Sequence, residues 1–193
     1  MGRIEALEEY AKINDIPIIE KDGIKFLENL ILENNVQNIL EIGSAIGYSA
    51  IKMALLNEQI NVTTIEKDIE RYKIAVGNIK KFELEKRIDI LNIDAFDFNT
   101  SKKFDLIFID GAKSQYTKWF KLYSNFLNDN GMIICDNLYF HGHVENYDNI
   151  KSRNLKQLVR KIREFILFLK ENDDFKTNFY DVGDGISVSK RVK

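Results

Sequence analysis

Apolar positions change period several times along the chain, and each change marks an element. Ile4, Leu7, Tyr10 and Ala11 recur at helical spacing over residues 3–13. Ile24, Leu27, Leu30 and Ile31 do so over 22–34, with Pro17 and Gly23 punctuating a turn. VQNILEIG (36–43) is a short apolar run ending in glycine and predicts a buried strand. SAIGYSAIKMALL (44–56) predicts a helix, INVTTIE (60–66) a β-branched strand, and KDIERYKIAVGNIKKFEL (67–84) a helix. RIDILNID (87–94) and KFDLIFID (103–110) read as strands, SQYTKWFKLYSNFLND (114–129) as a helix, and GMIICD (131–136) as a strand. A basic amphipathic helix follows at about 152–171. Two last strands, TNFYDVG (177–183) and GISVSK (185–190), flank Asp184-Gly185, which reads as a tight hairpin turn.

Strand and helix thus alternate, and the runs at 39–42, 106–109 and 132–135 are almost wholly apolar. Such strands are covered on both faces, so the pattern predicts an α/β architecture. A mostly parallel sheet of seven strands would carry helices on both sides and end in an antiparallel hairpin strand. The absence of Gly/Ser-rich stretches and the single proline argue against a linker. The expectation is one domain over 1–193, with a helical cover at 1–34 and the α/β core at 35–193.

Composition narrows the class. Of 193 residues, 45% are hydrophobic and 30% charged, which excludes collagen-like and disordered chains. One cysteine, Cys135, excludes an intramolecular disulfide and a cysteine-built zinc site; inside an apolar strand it should be an inert thiol. No apolar run approaches ~20 residues, so no membrane span is expected. With no apolar signal core in MGRIEALEEYAKIND, a reducing cytoplasm is the expected address. The formal net charge of −2 is not that of a nucleic-acid binder, but it is unevenly spread. Residues 151–170 hold seven Lys/Arg and one Glu, a local +6 that leaves −8 for the rest. That segment is either a solvated charged face or a platform for an RNA backbone.

In open sheets of this kind ligands bind beyond the carboxyl ends of the strands. Those ends here are Glu41-Ile42-Gly43, Glu66, Asp94, Asp110 and Asp136-Asn137. One acid at a strand end commonly caps the next helix, but five on one edge exceed what capping needs. Gly43-Ser-Ala-Ile-Gly47 opens the first helix after a strand and would let a ligand approach the backbone. It is not G-x-G-x-x-G, which disfavours a pyrophosphate and hence a dinucleotide. Glu66, 23 residues past Gly43, can accept from both hydroxyls of a ribose, and Asp94 could reach an adenine edge. A nucleoside cofactor without a pyrophosphate fits, and S-adenosylmethionine is one, its carboxylate toward Ser49 or free backbone N–H groups. Asp110, Asp136 and Asn137 offer only oxygen, which selects Mg²⁺, Mn²⁺ or Ca²⁺ over zinc. Lys113 follows Asp110 by three residues. A lysine beside a cation and partly removed from water gives up its proton more readily and can act as a general base.

ILEIGSAIGYSAIKMA (39–54), FDLIFIDGAK (104–113), IICDNLYFHG (133–142) and VGDGISVSK (182–190) together resemble the metal-dependent O-methyltransferases of the catechol and caffeoyl-CoA type. The resemblance runs in order from about residue 4 to the C-terminus. It implies a Rossmann-like, doubly wound fold. Ile19, Gly43 and Ser49 would line the methionine end of S-adenosylmethionine, Glu66 would hold its ribose, and Asp94 would lie by the adenine. Asp110, Asp136 and Asn137 would bind Mg²⁺, with Asp110 also facing the cofactor, and Lys113 would deprotonate the acceptor hydroxyl. The resemblance also implies a homodimer. EIGSAIGYSAI, D-G-A-K-x-Q-Y and N-L-Y-F-H-G resemble the bacterial branch that methylates 5-hydroxyuridine in tRNA. By that comparison the chain starts late, without a further N-terminal helical segment, and D-G-A-K stands for the usual D-A-A-K.

Three functional readings follow: methylation of tRNA 5-hydroxyuridine, methylation of a small catechol-like or caffeoyl-CoA-like vicinal diol, and a nucleoside- or RNA-binding module without catalysis. His141 is expected to line the substrate mouth rather than ligate metal. Tyr116, Trp119 and Phe120 are expected in the core.

Overall fold

The computed structural model describes residues 2–192. These form a seven-stranded sheet in the order β3-β2-β1-β4-β5-β7-β6. The strands are β1 (Asn38–Ile42), β2 (Asn61–Ile65), β3 (Ile88–Leu91), β4 (Phe104–Ile109), β5 (Leu127–Cys135), β6 (Phe175–Tyr180) and β7 (Ile186–Arg191). β1 to β5 pair in parallel, β7 runs antiparallel to β5, and β6 antiparallel to β7. Among the described residues six α-helices cover the sheet: α1 (Arg3–Ile13), α2 (Lys21–Glu33), α3 (Tyr48–Leu55), α4 (Ile69–Lys81), α5 (Tyr116–Tyr123) and α6 (Arg153–Lys170).

Neighbouring residues on the central strands point to opposite faces, and both faces are dry. Ile39, Leu106, Phe108 and Ile134 pack with Leu7 and Ala11 of α1, Leu27 and Ile31 of α2 and Ile51 of α3. Leu40, Ile107, Ile109 and Ile133 pack on the other face with Tyr116, Phe120 and Tyr123 of α5 and Phe165 and Leu169 of α6. This is why those strands read as unbroken apolar runs. Tyr116, Trp119, Phe120 and Cys135 lie in this second layer, as expected. Burial pushes the Cys135 thiol well above its ordinary range, consistent with an inert thiol.

Several boundaries differ from the sequence expectation. The first glycine-rich stretch is not helical: α3 starts at Tyr48, after a turn in which Ala45 and Gly47 take positive φ. The predicted helix over 114–129 stops at Tyr123, because Leu127 is drawn into the sheet opposite Phe104. The register then shifts before Leu106 meets Met132, so β5 begins four residues earlier than predicted and carries an irregularity. The turn between β6 and β7 is not a tight two-residue one. It spans 181–185, and Asp184 turns inward, only 6% exposed.

β1 and β4 are adjacent while the chain leaves them toward opposite edges, so the crevice opens beyond their carboxyl ends. Every loop with candidate chemistry ends there.

Candidate active site

Gly43 leaves β1 with φ of 103°, and a Cβ at that position would overlap the carbonyl oxygen of Asp110. The first requirement for glycine is therefore internal: it lets the ends of β1 and β4 close on each other, with the Asp110 N–H bonded to the Ile42 carbonyl at 3.0 Å. The sequence expectation credited this glycine only with ligand approach. Glu66, at the end of β2, braces the following turn. Its two oxygens accept the backbone N–H groups of Ala45 and Asp68, both at 2.8 Å. Each oxygen keeps a further lone pair for a ligand hydroxyl.

These elements bound a cavity of about 840 Å³. Ile19, Gly43, Ser49, Glu66, Asp94, Asp110, Lys113 and Asn137 all line it, so the structure brings together eight of the nine residues singled out in the sequence. Asp94 stands at the rim. It accepts the Phe96 N–H at 2.9 Å and pairs with Lys67 at 2.6 Å; that ammonium and the N–H hold its carboxyl below the usual range. Ser49 lines the wall, but its hydroxyl donates to Glu41, so it is not a free donor for a carboxylate as expected.

Glu41 is the residue that strand-end reasoning named but gave no task. It is fully buried in β1, accepts the hydroxyls of Ser49 and Thr64, and is pushed up to about 7, chiefly by burial. A carboxylate in the middle of ILEIG was the available signal.

On the β4 and β5 side, Lys113 reaches back from a short 3₁₀ turn to put Nζ 3.2 Å from Asp110 Oδ1. Both side chains are about four-fifths buried, at 19% and 18% exposure. Asp136, the ninth residue, is not among the residues lining the cavity; it is 2% exposed, next to the lining Asn137, whose N–H its Oδ1 accepts at 2.7 Å. Burial, with Asp110 and Asp184 nearby, pushes its carboxyl up. Among the described residues no three His, Cys, Asp or Glu side chains converge as a metal cage. The expected ligand set has only two carboxylates and is completed by an amide.

Asp184 is a wall residue that the sequence reading placed in a turn. Its carboxylate accepts the His141 N–H at 2.6 Å and lies 3.4 Å from the Asn137 amide nitrogen. It braces a loop in which Asn137, Phe140, His141 and Gly142 all have positive φ. Such backbone costs about 1–3 kcal/mol per non-glycine residue and persists only where surroundings hold it. Asp-Gly is a strong hairpin signal, and nothing local in the sequence announces that this aspartate faces a cavity. His141 lines the mouth as expected.

Comparison with known proteins agrees with this geometry. Residues 5–192 match the family model of the O-methyltransferases. A Staphylococcus aureus protein provisionally named a caffeoyl-CoA O-methyltransferase is 35% identical, with a TM-score of 0.95 over 100% of this chain and 93% of that one. The caffeoyl-CoA O-methyltransferase of Populus kitakamiensis is 26% identical over 96% of this chain and 82% of its own. An O-methyltransferase from Bacillus cereus, solved in complex with SAH, shares the fold with a TM-score of 0.84 at 24% identity, over 98% of this chain and 90% of that one. The chain belongs to the O-methyltransferase family.

Proposed function

We propose that this cavity transfers a methyl group from S-adenosylmethionine to the 5-hydroxyl of 5-hydroxyuridine at the wobble position of tRNA, giving 5-methoxyuridine, with Mg²⁺ beside the acceptor. The supporting observation is the division of one cavity into two chemistries. Gly43, Glu66 and Asp94 form a nucleoside-binding side, and Asp110, Lys113 and Asn137 a proton- and charge-handling side. The SAH complex of the Bacillus cereus relative accords with the first half.

The donors on the second side suit a hard cation. Asp136 is buried near Asp110 and Asp184, and Lys113 lies beside Asp110. Asp110, Asp136 and Asn137 would hold the metal through oxygen, and Mn²⁺ or Ca²⁺ would fit the same donors. When bound, a divalent cation would supply Lewis-acid polarisation of the acceptor, and 5-hydroxyuridine offers a hydroxyl beside a ring carbonyl for it.

The chain's own residues then have distinct tasks. Glu66 orients the ribose through its free lone pairs, and the Gly43 turn seats the methionine end. Asp110 holds Lys113 in place, and the Lys113 amine takes the hydroxyl proton. The acceptor oxygen forms its bond to the methyl carbon as the carbon–sulfur bond breaks. Holding the two reactants in line accounts for much of the acceleration, up to about 7–11 kcal/mol in favourable cases.

The names of the plant relatives favour a second acceptor, a small catechol-like or caffeoyl-CoA-like vicinal diol. One experiment separates the two. Bulk tRNA and a catechol are offered separately with methyl-labelled S-adenosylmethionine and Mg²⁺, followed by nucleoside analysis. Label in 5-methoxyuridine that disappears with excess EDTA supports the proposal. Robust catechol turnover with no label in hydroxyuridine-containing tRNA reverses the order of the two acceptors, and transfer that persists in EDTA removes the metal. A cytoplasmic setting and a homodimer belong to the same proposal; among the described residues no helix is long and apolar enough to cross a membrane.

A further inference from the structure

Helix α6 carries its positive charge in an ordered way. Arg153, Lys156, Arg160 and Arg163 recur at i, i+3, i+7 and i+10, which puts them on one stripe opposite the buried Val159, Ile162, Phe165 and Leu169. The stripe runs roughly 15 Å at the helical rise per residue. Arg153, Arg160 and Arg163 are exposed and Lys156 is half-buried. Tyr147, on the turn before the helix, fixes two of the four. The Lys156 ammonium stands 5.0 Å and the Arg163 guanidinium 4.9 Å from its ring centroid. Between that turn and the helix lies a groove of about 480 Å³ bordered by Lys151, Arg153, Lys156 and Arg160. Of the nearby acids, Glu164 pairs with Arg160 at 3.5 Å and Lys161 at 2.7 Å, while Asp148 is exposed on the Tyr147 turn.

Stability does not explain this placement. α1, α2 and α4 carry an acid in the first turn (Glu5, Asp22 and Glu70), as the helix macrodipole favours. α6, like α3 and α5, has no acid there, and it opens with Arg153 and Lys156. Basic side chains add to the positive end of the dipole, an arrangement that repels itself until an anion binds. The surface is also well sited. α6 packs against the 3₁₀ turn that carries Lys113, and the loop leading to Tyr147 includes Phe140 and His141 of the cavity mouth.

We infer that this stripe and groove bind the sugar-phosphate backbone of the RNA whose base enters the cavity. This deepens the tRNA reading above and rests on it. The interaction is with phosphates and carries no sequence choice; base identity is left to the cavity.

The test compares the wild type with a triple R153A/R160A/R163A variant. Binding of a labelled anticodon stem-loop RNA lacking the hydroxyl is followed by anisotropy across salt concentrations, and turnover of free 5-hydroxyuridine nucleoside is measured in parallel. The variant is expected to bind the RNA about tenfold or more weakly, with the log–log salt slope shallower by about 2, at roughly 0.7 for each phosphate left without its cationic partner. Its turnover of the free nucleoside should equal that of the wild type, which also shows that it is folded. Equal RNA affinity and salt slope in the two proteins overturns the stripe while leaving a tRNA acceptor standing. A wild type that binds no RNA, yet methylates a catechol, overturns both. Binding to anionic phospholipid vesicles but not to RNA assigns the stripe to a membrane surface and also overturns the inference.

Discussion

Lys113 Nζ stands 3.2 Å from Asp110 Oδ1, one turn apart in the chain, with both side chains largely withdrawn from water. The pair lies in the cavity wall. Asp110 ends a central strand, and Lys113 projects from the turn onto which α6 packs. Replacing Lys113 with Met removes the base while keeping the apolar stem. Turnover should fall about 10²–10⁴-fold, the range ascribed to a positioned general base, with S-adenosylmethionine affinity changed little. Steady-state kinetics beside a calorimetric titration checks this. A fall in affinity that matches the fall in turnover would make Lys113 a binding residue.

The Gly43→Ala substitution should cost about 2 kcal/mol or more of folding stability, since φ of 103° is strained for alanine and the added methyl strikes the Asp110 carbonyl. Denaturant unfolding measures it. The Gly47→Ala substitution makes a useful contrast: its φ of 82° is also strained, but the nearest neighbour of the added methyl is the Ala75 side chain at an ordinary 3.4 Å. The smaller loss is expected there.

Glu41 gives a pH dependence with a definite sign. Its carboxyl titrates near 4.5 in an unfolded chain and about 7 when folded. Between those values the folded protein keeps a proton that the unfolded chain has released, so stability falls as pH rises through this window and levels off above it. The whole effect is on the order of a few kcal/mol. Glu41→Gln should make the fall between pH 5 and 7 shallower without abolishing it, because the raised Asp136 carboxyl acts in the same direction, and unfolding curves at several pH values read this. An unchanged slope would show that another group carries it.

Asp184 should matter for metal affinity without touching turnover directly. Asp184→Ala releases the His141 N–H and the Asn137 amide, leaving the strained 137–142 loop unbraced. Mn²⁺ affinity measured by calorimetry is expected to drop at least about tenfold, in line with the loss of an outer partner of a ligand. Wild-type affinity in the variant would reduce Asp184 to a turn residue.

The fold was largely legible because Ile39-Leu40 and Leu106-Ile107 have both faces buried, and strands of a parallel sheet covered on both sides produce such runs in alternation with helices. The candidate site was legible for a related reason: strand ends converge on one crevice, so acids scattered through the sequence meet there. Long-range competition was not legible. Nothing between 114 and 129 tells that Leu127 prefers Phe104 to another turn of helix. Nor does Asp-Gly at 184–185 reveal that the carboxylate turns toward Asn137 and His141. Ser49 likewise reads as a free hydroxyl until Glu41 is seen to hold it.

The most direct measurement is a calorimetric titration of the protein with S-adenosylmethionine, repeated on Glu66→Ala. One saturable site is expected, weakened at least about tenfold in the variant, which loses charged-acceptor hydrogen bonds of about 1.5–3 kcal/mol to the ligand. No binding heat at any accessible concentration, or equal affinity in the two proteins, would contradict a nucleoside-binding cavity at the ends of β1 and β2.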